Sequence, residues 1–281
     1  MRRLRAVTLN IGIALLALAT VLPLIWMVTV SLMPAGEANR FPPPFWPHHP
    51  TLANYRELLL PHVGVAGTTD YHIGRAALNS VALAVLATGF GLAVTVPAGY
   101  AFAKLRFRGR ARLFQALLAL VVVPAQVAML PLFLLLKWVG LVNSYAGVLA
   151  PGLAGVYAVL FVRQAVLGLP DEMLDAARVD GASEWRIFTA VVLPLLRPVT
   201  ATLALFAFLA SWSDFLWPLI VLSDDRLYTL PVALAAMSRE HARDTELMMA
   251  GAVVTTVPVL LLFVALQRFY FTGILGGGIK G

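Results

Sequence analysis

Six apolar runs, each 23–28 residues long, leave this chain little choice of solvent. They extend from Val7 to Leu32, Ala76 to Ala103, Leu113 to Leu136, Val142 to Leu167, Val199 to Leu222 and Leu247 to Phe269. A helix rises about 1.5 Å per residue, so about 20 residues cross a hydrocarbon core about 30 Å thick. Inside lipid a helix also satisfies every backbone group within its own segment. Composition agrees, with 60% hydrophobic and 12% charged residues, against about 45–50% and about 25% in soluble domains. We therefore expect one all-α integral membrane domain, residues 1–281, with six transmembrane helices.

Prolines at positions 23, 97, 124, 131, 218 and 258 fall inside these runs, where neighbouring helices tolerate them and kinks are favoured. The first run follows Met1-Arg2-Arg3-Leu4-Arg5 and exceeds the about 7–15 apolar residues of a cleaved signal core, so a retained anchor is expected. The net charge is +7, but the cations lie in short clusters between apolar runs rather than on one patch. That pattern argues against nucleic-acid binding and for the positive-inside rule. Counting residues near span ends with the termini and loops, one side of the membrane receives 14 Lys/Arg and the other 7, the densest group running from Lys104 to Arg112 without an acid. Both termini, the 168–198 loop and the 270–281 tail are thereby expected in the cytoplasm. The Pro-rich loop 34–75 is expected outside, its Phe41-Pro42-Pro43-Pro44-Phe45-Trp46-Pro47 stretch extended. The absence of cysteine excludes disulfides and thiolate chemistry.

Between the fourth and fifth runs lies a segment of different character. Gly168 ends a helix, Pro170 suits the first turn of the next, and Asp171 and Glu172 sit at its positive dipole end. Met173, Leu174, Ala176, Ala177 and Val179 give that helix an apolar side. Gly181 can take the left-handed turn that ends it, and Ser183 can cap a second helix whose stripe is Trp185, Phe188 and Val192. Pro194 and Pro198 are expected to close it. Such a helix–turn–helix is too short to be stable alone and must pack on something. A connector lying on lipid headgroups would favour Lys/Arg, whereas residues 171–184 hold five acids and only Arg178. Docking to a soluble protein fits that charge better.

Asp175-Ala176-Ala177, Gly181 and Val192-Leu193-Pro194 resemble the cytoplasmic Glu-Ala-Ala loop of ABC-importer permeases. The similarity reaches the maltose-type carbohydrate branch through Tyr100-Ala101-Phe102-Ala103-Lys104, Trp212-Ser213-Asp214-Phe215-Leu216-Trp217-Pro218 and the Gln267-to-Gly281 tail. The loop's usual Glu is here Asp175. This resemblance implies a cytoplasmic coupling helix–turn–helix between helices four and five. Asp175, Ala176, Ala177, Asp180, Gly181, Trp185, Phe188 and Pro194 would carry the coupling. It also implies a multi-pass permease of the bacterial inner membrane, not itself an enzyme, that binds no cofactor and no metal. Its partners would be a second permease in a heterodimer, two ATPase subunits carrying ATP and Mg, and an extracytoplasmic binding protein delivering a carbohydrate. Glycerol-3-phosphate is the alternative solute, and an ATP-independent secondary transporter the alternative mechanism. The latter would want several ionisable residues in mid-span, where only Asp214 is suitable.

Asp214, with Trp212, Ser213 and Trp217, could line a translocation path, since aromatic faces and carboxylates suit sugar rings and hydroxyls. Equally, it could be a capping acid in an interfacial aromatic belt. Asn79 and Asn143, with Ser144, are weaker path candidates. Gly276-Gly277-Gly278-Ile279-Lys280-Gly281 lacks the Ser/Thr and the flanking strand and helix of a phosphate loop. His48, His49, His62, His72 and His241 fall in outer loops and are expected to be surface residues.

Overall fold

The computed structural model describes residues 2–60, 72–153, 155–240 and 244–276. His62, His241 and the tail from 277 onward therefore lie outside the described residues. In chain order the helices are α1 (Arg2–Ser31), α2 (Ala53–Leu59), α3 (Ile73–Lys104), α4 (Arg110–Val122), α5 (Ala125–Trp138), α6 (Tyr145–Leu149) and α7 (Val156–Leu167). They continue as α8 (Asp171–Val179), α9 (Glu184–Ile187), α10 (Leu193–Leu195), α11 (Arg197–Trp212), α12 (Leu216–Val221), α13 (Leu230–Glu240) and α14 (Thr245–Gly276). A 3-10 turn follows α6 at Ala150–Leu153, and a π-helical turn, Phe188–Val192, joins α9 to α10. No strand occurs among the described residues.

Four stretches are long and apolar enough to cross a bilayer: Thr8–Ser31, Ile73–Lys104, Tyr145–Leu167 and Thr245–Ala265. Two bent pairs, α4 with α5 at 107° and Glu184–Leu195 with α11 at 78°, bring the number up to six if each is one span. Pro23, Pro97 and Pro258 sit inside continuous helices. Pro124 does not: the residue before it, Val123, is extended at φ −78° and ψ 118°. Clash with the proline ring drives that conformation, and the third apolar run breaks there. The fifth run breaks too, at Ser213–Phe215 between α11 and α12.

Chain contacts group into two compact units, residues 1–75 with 230–259 and residues 76–229 with 260–281. In the first, Asn54 donates to the carbonyls of Ser31 (2.9 Å) and Met33 (2.8 Å) at the end of α1. Ser31 and Tyr55 share a 2.7 Å hydroxyl contact. Those bonds place α2 inside the 34–75 loop, after its Pro-rich stretch. The Pro-rich segment itself is non-helical. Buried Glu246 accepts from Ala38 N–H at 2.8 Å, and buried Glu37 pairs with His48, which holds its carboxyl below the usual range. His49 is exposed and His72 half-buried.

In the second unit the core runs through Val96, Tyr100 and Ala103 of α3, Val162 and Val166 of α7, and Leu174, Ile187, Phe188, Val192 and Leu196. The helices pass closely. A Cβ on Gly99 would stand 2.6 Å from the Val162 side chain and 3.0 Å from Arg163 N.

Candidate functional site

The helix pair α8–α9 is a fitted part of its own chain. Leu174, Ile187, Phe188 and Val192 are buried against α3 and α7. Docking onto those two helix ends supplies the support that nine-residue α8 could not find alone. Lys104, its side chain 8% exposed, donates to the Leu169 carbonyl at 2.8 Å and to Asp171 Oδ1 at 2.6 Å. This ties the start of α8 to the end of α3. The ammonium beside Asp171 holds its carboxyl below the usual range.

Gly181 has φ +78°. Ala182 N–H bonds the Ala177 carbonyl and Gly181 N–H that of Arg178, each at 3.0 Å. The 6→1 and 5→2 pair is a Schellman ending, which needs a left-handed residue at this position. Ser183 then caps α9, its Oγ accepting from Arg186 N–H at 3.3 Å. Arg178 spans the turn, donating to Asp175 at 2.7 Å and to Glu184 at 2.8 Å. Its two carboxylate partners push its pKa further up. Tyr100 closes the network by donating to Glu184 at 2.8 Å.

Two details correct the periodicity reading. Val179 is 87% and Trp185 68% exposed, although both were assigned to apolar packing faces; Ala176 is exposed as well. Leu174, with half-buried Met173 and Ala177, suffices to seat α8. Ile187 and Phe188 are both buried, while Trp185 remains outside with its ring 5.5 Å from that of Phe188. Pro194 does not end the helix: it sits in the first turn of α10, where its missing N–H is harmless. Pro198 opens α11 in the same way.

The exposed face of the pair thus holds Asp175, Ala176, Val179, Asp180, Gly181 and Trp185. Its apolar patch, including an aromatic ring, is bordered by acids and is not used by the chain's own core.

The second cluster is at the other end of α11. Trp212 is buried and stacks on Phe208 at 6.0 Å. Trp217 is buried too, its indole N–H bonding the Gly147 carbonyl at 3.2 Å. Half-buried Asp214 accepts from Trp217 N–H at 3.4 Å, and Ser213 is exposed beside it. Asn79 and Asn143 are occupied elsewhere. Asn79 donates to the Arg226 and Tyr228 carbonyls, both at 3.0 Å, and accepts from Tyr145 at 2.8 Å. Asn143, at φ +57°, accepts from the N–H groups of Ser223 (2.9 Å) and Asp224 (3.0 Å). Ser144 caps α6. These residues position the 222–229 loop. Among the described residues no three His, Asp or Glu side chains converge as metal ligands.

Residues 95–274 match the family described as "Binding-protein-dependent transport system inner membrane component". The chain belongs to that family. It is 37% identical over 275 residues to the arabinooligosaccharides transport system permease protein AraQ of Halalkalibacterium halodurans, covering 97% of this chain and 96% of that one. The lactose transport system permease protein LacG of Rhizobium radiobacter is 34% identical over 198 residues, 70% of this chain and 72% of its own. A crystal structure of a bacterial ABC transporter that imports alginate shares the fold, with a TM-score of 0.81 at 21% identity, covering 95% of this chain and 97% of that one. The chain is an inner membrane component of a transport system rather than an enzyme.

For a permease, the network around Arg178 is a feature that sequence reading did not identify. The Asp175–Arg178 half was accessible as an i, i+3 pair of opposite charge. The Tyr100–Glu184 and Lys104–Asp171 bonds span 84 and 67 residues, and no local pattern announces them.

Proposed function

We propose that this permease forms part of the membrane path for a sugar or oligosaccharide and couples it to ATP hydrolysis through α8–α9. The exposed patch of Ala176, Val179, Gly181 and Trp185, on a helix pair seated against α3 and α7, carries this reading. A groove on an ATPase subunit would take that patch, with Asp175 and Asp180 at its rim. Because the pair is packed against α3 and α7 and hydrogen-bonded to the end of α3, a displacement of it is a displacement of those helices. Closure of two ATPase subunits on ATP and Mg would turn the spans as rigid bodies between two access states.

In this reading the chain crosses the bacterial inner membrane six times, α4–α5 counting as one bent span and α11–α12, without α9, as another. The α8–α9 side and both termini face the cytoplasm, where the basic residues concentrate. A second permease completes the path as a heterodimer, and an extracytoplasmic binding protein delivers the solute. The oligosaccharide and disaccharide named for the two relatives above favour a carbohydrate. Ser213 and Asp214, in the break between α11 and α12, offer it polar groups.

The test is uptake in proteoliposomes holding this permease, its second permease, the two ATPase subunits and the binding protein. Labelled oligosaccharide is expected to accumulate only with ATP and binding protein present; accumulation without nucleotide would refute the coupling. Substituting Asp214→Ala in the same vesicles is expected to raise the half-saturating sugar concentration by about tenfold, the loss of one charge-assisted hydrogen bond of about 1.5 kcal/mol. An unchanged half-saturation with lower complex yield would leave Asp214 only its bond to Trp217.

A further inference from the structure

Where α3 ends and α4 begins, a cleft of about 670 Å³ opens beside α7. Arg110, Arg112 and Arg163 reach it over walls of Phe102, Phe107 and Phe114. Two of the arginines are fixed by the chain. Arg110 donates to the Ala103 and Leu105 carbonyls, both at 3.0 Å, answering acceptors at the end of α3. Arg163 donates to the Phe102 carbonyl at 3.3 Å and lies 4.2 Å above the Phe114 ring. Arg112 is exposed, and among the described residues no carboxylate pairs with any of the three. Several guanidinium N–H groups thus converge on one apolar-walled space without an anion. Planar guanidinium forks suit phosphate oxygens.

The surface beyond the cleft distinguishes the possible anions. α4 has no buried residue, and Leu113, Leu118, Leu120 and Val122 stand exposed along it. From Arg112 to Val122 the helix is about 15 Å long. A basic, aromatic-walled cleft therefore leads onto an exposed apolar helix face of about that length. A free phosphate or a nucleotide would use the first and leave the second bare.

We propose that this cleft holds the phosphate of an anionic phospholipid of the inner leaflet, its acyl chain lying along the exposed face of α4. The leaflet assignment rests on the orientation proposed above. Bound there, the lipid would brace the α3–α4 turn, which follows Lys104, whose tie to Asp171 holds the start of α8.

The experiment is native mass spectrometry of the assembled importer, purified from membranes and titrated with phosphatidylglycerol, phosphatidylcholine and inorganic phosphate. One phosphatidylglycerol is expected to be retained on the complex, with phosphatidylcholine and inorganic phosphate unable to displace it. The double variant Arg112→Gln/Arg163→Gln is expected to lose about tenfold or more in occupancy, from about 1 kcal/mol per basic residue at an anionic surface. Arg112→Glu alone, which disturbs no contact within the chain, should show the same direction. Arg106→Gln/Arg108→Gln removes two neighbouring charges outside the cleft and should keep the lipid. Equal loss in both double variants would reduce the effect to diffuse attraction and overturn the proposal. Displacement by inorganic phosphate would make it a free-anion site, and no retained lipid with Arg112 cross-linking to the second permease would make it a subunit interface; either overturns it. Lipid retention is read without ATP or sugar, so failed uptake with intact retention would count against the transport reading alone.

Discussion

Replacing Gly181 with valine is expected to reduce ATP-dependent uptake to background while leaving the permease in the membrane. Gly181 stands at φ +78°. An L-residue held in that left-handed region costs roughly 1–2 kcal/mol, and a β-branched one is worse placed still. No atom lies within 4 Å of the Cβ it would gain, so the penalty is conformational rather than a clash inside the chain. Relief requires unwinding the two bonds from Ala182 and Gly181 back to Ala177 and Arg178. That would release the turn between α8 and α9, on either side of which Val179 and Trp185 stand exposed. A nine-residue helix has little stability of its own to resist. The apolar spans do not depend on this turn, so insertion and yield should stay near wild type. Gly181→Asn separates the two things glycine supplies. Asparagine tolerates the left-handed region, so recovery of most uptake would assign the requirement to backbone shape. Loss equal to valine's would assign it to close approach by the ATPase subunit. Normal uptake by the valine variant would sink the coupling role of the turn.

That turn was legible before any coordinates, because glycine and the residues around it carry local signals: Pro170 at a helix start, acids in the first turn, Ser183 at the next cap. The apolar runs were legible for the same reason, since length and hydrophobicity are properties of one segment. What escaped was non-local. Ile187 is buried beside Phe188 because residues of α3 and α7 form a core that takes in both, which the spacing of Trp185, Phe188 and Val192 does not reveal. Trp185 was assigned to a packing stripe on spacing alone, yet spacing cannot say which of two neighbours a scaffold will cover. The short helices α2 and α13 were passed over inside loops, α2 because what fixes it is Asn54 reaching back to α1. Asn79 and Asn143 looked like polar groups free to meet a solute. In the fold they hold the 222–229 backbone, whose amides and carbonyls need partners. Breaks in the apolar runs were half legible: Pro124 announced its own, whereas nothing in Trp212-Ser213-Asp214-Phe215 distinguishes a break from a continued helix.

Gly99 gives the second large expectation, on stability rather than on coupling. Gly99→Ala should lower the thermal unfolding midpoint of the permease in nanodiscs, against the usual direction of a Gly→Ala change inside a helix. Alanine's better helix propensity contributes up to about 1 kcal/mol in favour. Here the new Cβ would stand 2.6 Å from both Cβ and Cγ1 of Val162, and 3.0 Å from the backbone nitrogen of Arg163. Neither Val162 Cβ nor a backbone nitrogen can rotate away, so α3 and α7 must separate. Overpacking of this kind costs about 1–3 kcal/mol, which exceeds the propensity gain. Small residues at such crossings let backbones approach in lipid, where packing rather than hydrophobic exclusion drives association. The loss would be felt at a distance, because Tyr100, Val162 and Val166 also form the seat of Leu174 and Phe188. Separated helix ends should loosen α8–α9 and lower uptake together with stability. The exchange Gly99→Ala/Val162→Gly restores room at the crossing while adding a second glycine penalty. It should recover part of the lost midpoint, whereas Val162→Gly alone should be destabilised by its cavity. A Gly99→Ala midpoint at or above wild type would show that α3 and α7 do not pass this closely, and the seat described for the coupling helices would fall with it.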